Sequence, residues 1–259
     1  MARFAAVTLA AITLACVAAA AHNQPASDPQ AVAYAAKSVA AMTGSTTVSD
    51  VTLTGSVTWT GTDTGTATLK ALGTGESRMD LALSSGTRTE IRDVQTGVQL
   101  GQWINPNNVS GQFASQNCQN DAVWFFPALG SLSLGPNVVL SYIGQESRNG
   151  GTVQHIQSYV YQPNPPAGIS PTFQQLSTMD LYLDATTLLP MAITFNAHPD
   201  TDATTSLLVE VDFSNYQVIS GVTVPTHIQR YQQGTLMVDV TVSSASFNTG
   251  IPLSVFAVN

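Results

Sequence analysis

The stretch Val51-Thr-Leu-Thr-Gly-Ser-Val-Thr-Trp59 decides the fold class. Val51, Leu53, Val57 and Trp59 fall on one parity; Thr52, Thr54, Ser56 and Thr58 fall on the other. Successive side chains of an extended chain point to opposite faces, so this is a strand with one buried and one wet face. Threonine suits the wet face because it is β-branched and carries no charge. The same period runs outward in both directions. Ala67, Leu69 and Ala71 follow, then Met79, Leu81 and Leu83, and more loosely Ile91, Val98, Leu100 and Trp103. Gly61, Gly73-Thr-Gly75, Ser85-Gly86 and Gly97 punctuate these runs as turns. Further strands are expected over 138–146 and 152–161. The C-terminal third is the most regular, with Met179, Leu181 and Leu183; Met191, Ile193 and Phe195; Leu207, Val209, Val211 and Phe213; Val222, Val224 and Ile228; and Leu236, Val238, Val240 and Val242. Ten or eleven strands joined by short turns predict a mainly β (α+β) domain: a highly curved antiparallel sheet, or unclosed half-barrel.

Helical spacing occurs at three places. Ser27 and Asp28 are good caps, Pro29 suits a first helical position, and Val32, Ala35, Ala36, Val39 and Met42 then recur at helical intervals up to Gly44. Asn117 to Asp121 precede Val123, Trp124, Phe125, Phe126, Ala128 and Leu129, which read as a short apolar helix bent or ended by Pro127. The proline-rich stretch 163–171 reads as loop, and 172–177 as a helical turn.

The N-terminus has the layout of a secretory signal. Arg3 is followed by the uncharged apolar run 4–17 and by the small residues Ala19-Ala20-Ala21 before His22. That run is shorter than the roughly 20 residues a membrane span needs. Residues 1–21 are therefore expected to be a signal peptide and 22–259 a single domain. Thr13-Leu-Ala-Cys16 partly resembles a lipoprotein box, which would instead acylate Cys16 and tether the chain to a membrane. Cleavage after Ala21 leaves Cys118 as the remaining cysteine, a residue type that is usually buried and inert when alone.

Charge narrows the partners. The formal net charge is −8 and only 9% of residues are charged. Nucleic acid and anionic membrane surfaces call for clustered Lys and Arg, and the cations here are scattered along the sequence. Nucleic acid is excluded as a partner, and a membrane enters only through a lipid on Cys16.

No catalytic, metal or cofactor motif stands out. His155 and His227 sit in strands and read as hydrogen-bonded structural histidines, with no accompanying nucleophile motif. His198-Pro-Asp-Thr-Asp202 lacks the ligand spacing of a calcium loop and reads as a solvated hairpin tip. The pairs Asp180 with Asp184 and Glu210 with Asp212 fall on the wet parity of their strands and read as solvated surface. No Gly-x-Ser-x-Gly is present. The apolar run at Trp124 has two readings: a core element plugging the sheet, or the lid of an apolar pocket of the kind that binds ligands.

Three stretches carry a resemblance. They are Asp180-Leu-Tyr-Leu-Asp184-Ala-Thr-Thr-Leu-Leu189-Pro190-Met-Ala-Ile; Val211-Asp-Phe213-Ser-Asn-Tyr216, continuing to Gly221-Val-Thr-Val-Pro225; and Val242-Ser-Ser-Ala-Ser-Phe247-Asn248 with the closing Ile-Pro-Leu253 and Phe256. Over about the last 80 residues the chain is similar to the outer-membrane lipoprotein-sorting (LolA/LolB-like) superfamily. The resemblance implies an unclosed barrel that holds acyl chains on its concave face, under helical lids, and performs no covalent chemistry. It implies a monomeric periplasmic or envelope protein that takes a hydrophobic small molecule, a lipid or lipoprotein acyl chains. Val57, Trp59, Leu81, Leu83, Trp124, Phe125 and Leu129 are the expected lining. An envelope sensor or protein-interaction domain on the same fold is one alternative, and a hydrolase with an unrecognised site is another.

Overall fold

The computed structural model describes residues 24–94, 100–118, 120–133, 135–163, 170–199 and 201–258. The signal peptide, its cleavage point after Ala21, Cys16, Val98 and Asp200 lie outside the described residues. The domain opens with helix α1, Pro29–Thr43. The Asp28 carboxylate caps it by accepting from the backbone N–H groups of Gln30 and Ala31, at 2.7 and 3.4 Å. Gly44, at φ 59°, ends it.

Thirteen strands follow among the described residues: β1 Asp50–Trp59, β2 Asp63–Leu72, β3 Ser77–Leu83, β4 Gly86–Asp93, β5 Leu100–Ile104, β6 Ser110–Gln112, β7 Val138–Arg148, β8 Gly151–Val160, β9 Met179–Asp184, β10 Pro190–Ala197, β11 Leu207–Ile219, β12 Val222–Gln232 and β13 Thr235–Phe247. They form one antiparallel sheet in the order β6-β5-β4-β3-β2-β1-β13-β12-β11-β10-β9-β8-β7. Each half is a meander, and β1 joins them by pairing with β13. The sheet does not close, because β6 and β7 are its two edges.

The strand count exceeds the expected ten or eleven, and β4 shows why. Its register sets Arg88 opposite Leu81, Glu90 opposite Met79 and Arg92 opposite Ser77. Directly opposed residues share a face. The face that β4 turns inward is therefore charged, and no apolar alternation marks it. The short β5 and β6 carry equally little signal.

The chain passes from the β6 edge to the β7 edge through residues 113–137, and this crossing fills much of the concavity. Among its described residues the helix is the single turn α2, Ser115–Cys118. The stretch expected to be helical around Trp124 is instead a series of tight turns, with Phe126 N–H on the Val123 carbonyl at 3.3 Å and Leu129 N–H on the Phe126 carbonyl at 3.1 Å. Pro127 lacks the N–H that a continuing helix needs. Trp124, Phe125 and Phe126 join the inward residues of the sheet and Ala31, Ala35 and Met42 of α1 in one core. Helix α3, Ser170–Ser177, and a terminal 3₁₀ turn, Leu253–Phe256, complete the chain. Among the described residues no helix is long and apolar enough to cross a membrane.

Candidate functional site

The crossing segment is anchored in the concavity by charge. Arg92 of β4 is buried and pairs with Asp121 of the plug; it also faces Glu90 at 3.3 Å. The second oxygen of Asp121 accepts from Arg230 of β12 at 3.0 Å. Arg88 pairs with Glu90 at 2.6 Å. Three cations and two carboxylates, from β4, the plug and β12, thus meet inside the half-barrel. Burial works against the Arg92 charge, but Asp121 and Glu90 outweigh it and hold the guanidinium's pKa above its ordinary value. The guanidinium groups also lie on aromatic faces: Arg88 over Trp59 at 4.3 Å, Arg92 over Phe113 at 4.1 Å and Arg230 over Trp124 at 5.8 Å.

Neutral bonds complete the anchorage. Ser77 donates to the Ala122 carbonyl, and the Asn120 amide donates to the Leu176 carbonyl at 2.9 Å. Asn117 and His198 exchange two bonds, at 2.7 and 2.8 Å. His198 is buried and its Nδ1 lies 2.9 Å from the Thr205 carbonyl, so the expected solvated tip begins only beyond it. Asp202 is half-buried and accepts hydrogen bonds from Thr204 and Thr205. Cys118 is buried against Gly101, where an added Cβ would come within 2.8 Å of its sulfur.

A cavity of about 460 Å³ remains between the plug and the sheet. Its walls are Ala122, Val123, Trp124, Leu129 and Gly130 of the plug, the β2–β3 turn at Gly73–Gly75, the end of β8 at Ser158–Val160, and Met179 and Ile193. Among the described residues no charged side chain lines it. The Ser131 hydroxyl, also in the wall, is buried and has no hydrogen-bond partner among the described residues.

The seven residues expected to line a site all meet in one hydrophobic cluster, but they do different things. Trp124 and Leu129 line the cavity. Phe125 lies deeper, edge-on to Trp124 with ring centroids 5.7 Å apart. Val57, Leu81 and Leu83 are buried in the sheet's inner wall. Trp59 is half-buried against Arg88. Val123, Val138, Val160, Met179 and Ile193 were not singled out from sequence. Alternation marks the last four as strand residues, and only the path of the plug, which carries Val123, shows which strands a cavity borders.

No known family profile matches the sequence, and no curated protein does. Solved structures do match. A domain assigned to outer membrane lipoprotein sorting, from Vibrio parahaemolyticus, is 13% identical with a TM-score of 0.55, over 88% of this chain and 96% of that one. A LolA superfamily protein from Nitrosomonas europaea is 11% identical with a TM-score of 0.52, over 88% and 97%. The fold is LolA-like. A DUF1329 family protein from Desulfovibrio piger shares it at 10% identity and a TM-score of 0.53, over 90% and 98%. The structural likeness therefore spans nearly the whole chain, where the sequence resemblance spans its last third. The LolA-like hairpin at 180–193 owes its turn to Asp184. Its carboxylate accepts from the N–H groups of Thr186 and Thr187 at 3.0 and 2.7 Å, which holds its pKa below the usual value.

The outer face carries a second polar group, centred on β11. Arg148 pairs with Glu210 at 2.5 Å and lies over the Tyr182 ring at 3.9 Å. The expected solvated pair of Glu210 and Asp212 is in fact partly buried. Burial first, and then the neighbouring Glu210, push the Asp212 carboxyl up to about 6. A carboxyl whose pKa rises on folding stabilises the fold when protonated. Stability should therefore increase as pH falls from above 6 toward about 4, the unfolded value, and change no further below it. Asp212→Asn should raise stability at pH 7.5 by about 1 kcal/mol, allowing for solvent screening, and leave it unchanged at pH 4. Urea unfolding of both proteins at the two pH values measures this; an equal difference at both would refute it.

Proposed function

We propose that this chain is an exported envelope protein that binds one uncharged hydrophobic ligand, an acyl chain or another lipid tail, between its plug and its half-barrel. The cavity supports this reading: Val123, Trp124, Leu129, Met179 and Ile193 give its walls large apolar areas beside hydroxyl and amide groups, it has about 460 Å³ of space, and among the described residues no charged side chain lines it. Trp124 and Leu129 would contact the ligand, and Val57, Trp59, Leu81, Leu83 and Phe125 would shape the wall behind them. The cavity performs no covalent step; its work is burial and shape. Export would follow from the signal-like residues 1–21, or from a lipid on Cys16 that holds the protein at a membrane. The relatives whose names refer to lipoprotein sorting share the fold, which is consistent with such a ligand.

Native mass spectrometry of the protein purified from a bacterial periplasm tests the reading. A bound mass of lipid size, lost in a Val123→Trp variant that fills the cavity, is the expected outcome. Protein that carries no such mass, and does not quench or enhance a fluorescent fatty-acyl ester added to it, would leave an envelope interaction domain as the better account.

A further inference from the structure

The outer face of the sheet, opposite the plug, holds a constellation that the cavity does not use. Ser214 of β11, His227 of β12 and Asp239 of β13 stand side by side on three consecutive strands. The Ser214 hydroxyl is 3.2 Å from His227 Nδ1, and His227 Nε2 is 2.9 Å from Asp239 Oδ1. The other Asp239 oxygen accepts from the Gln229 amide at 2.9 Å. Ser214 is exposed, and His227 and Asp239 keep just over a quarter of their side-chain surface.

Backbone geometry builds this row. Ser220 and Gly221, both at positive φ, form a two-residue turn that sets Ile219 opposite Val222 and so Ser214 opposite His227. A second such turn, Gln233-Gly234, starts the β12–β13 pairing, and a bulge at Arg230/Tyr231 then shifts the register. Without that shift Asp239 would oppose Ile228, which points into the core; with it Asp239 opposes Gln229 on the outer face. The bulge thus delivers the carboxylate to the imidazole.

We infer that Ser214, His227 and Asp239 form a nucleophilic site for acyl transfer from uncharged esters. Asp239 accepts the Nε2 proton, which fixes the neutral tautomer with Nδ1 free to take a proton from Ser214. Attack of the Ser214 oxygen on an ester carbonyl passes the hydroxyl proton to His227. The bond from carbonyl carbon to alkoxy oxygen then breaks, and His227 returns the proton to the leaving alcohol. Water, deprotonated by His227, releases the acyl group as a carboxylic acid and restores the serine hydroxyl. An open groove beside the row is lined by Asn215, Tyr216, Gln217, Thr226, Thr241 and Val242, residues that carry amide and hydroxyl groups. Asn215, directly after Ser214, takes a left-handed φ of 54° within β11. The acidic surroundings, with Asp239 and Asp212 nearby and a net charge of −8, disfavour anionic substrates. His155 offers a contrast: it is held by Asp180 at 2.8 Å, but its Nδ1 faces Glu146 at 3.6 Å, with no hydroxyl to activate.

The test is labelling of the intact protein with a fluorophosphonate, followed by peptide mass spectrometry, beside hydrolysis of p-nitrophenyl butyrate. Ser214 should be the modified serine. His227→Ala should slow labelling about 100-fold or more, the usual worth of a general base, with unfolding temperature unchanged because the residue is on the surface. Asp239→Asn should slow it through the wrong tautomer. Modification spread over many serines, or labelling of Ser214 that is insensitive to His227→Ala, would overturn the proposal. Neither result touches ligand binding in the cavity, which lies on the other face.

Discussion

Asp121→Ala should destabilise the protein by about 3–5 kcal/mol, the range found when one member of a buried ion pair is removed. Asp121 neutralises two arginines from opposite halves of the sheet, Arg92 of β4 and Arg230 of β12. Its loss leaves one cation buried with only Glu90 beside it and frees the other to draw water inward. For a chain of this length such a loss corresponds to a fall in Tm of roughly 10 °C. The plug should loosen first, so limited proteolysis should cut within 114–133 before the sheet is attacked. Arg78→Ala provides the control. Arg78 pairs with Asp80 at 2.7 Å, but both side chains keep over a quarter of their surface, and such pairs contribute about 1 kcal/mol or less. A Tm for Asp121→Ala within about 2 °C of the parent protein would show that the network does not hold the plug.

Sequence periodicity reveals much of this fold because most strands bury one apolar parity. Val51, Leu53, Val209 and Val240 all point inward, as their alternation implies. It fails at β4, where Arg88, Glu90 and Arg92 take the inward parity, and in the plug, where turns replace the expected helix. Scattered cations in the sequence give no hint that three of them converge, because the convergence depends on register and on where the crossing segment lies. The Ser214, His227 and Asp239 row was partly within reach. The Ser220-Gly221 turn fixes the first pairing and the Val238 and Val240 alternation turns Asp239 outward, but the bulge that sets Asp239 opposite Gln229 leaves no mark in the sequence. The burial of Asp212 was hidden for a similar reason, since Arg148 reaches Glu210 from a strand that is not its neighbour in the sheet.

A fatty-acyl methyl ester should bind the cavity at least about 100-fold more tightly than the free fatty acid at pH 7.5. An ionised carboxylate taken into a site without a counter-charge loses several kcal/mol of hydration, and no lining residue could offset it. The three interior arginines do not line the cavity and are already paired with Glu90 and Asp121. An ester carbonyl carries no such penalty and can accept from the Ser131 hydroxyl, the buried donor in the wall that lacks a partner. Ser131→Ala should therefore weaken ester binding about fivefold, the worth of one neutral hydrogen bond. Ser131→Lys should reverse the order by supplying a cation at the wall. The preference should also shrink as pH falls toward 5 and the fatty acid takes up its proton. Displacement of a fluorescent acyl ester by each ligand, run on the Ser214→Ala protein so that no ester is consumed, gives the affinities directly. Equal binding of acid and ester at pH 7.5 would mean that the head group stays in water and only the tail enters.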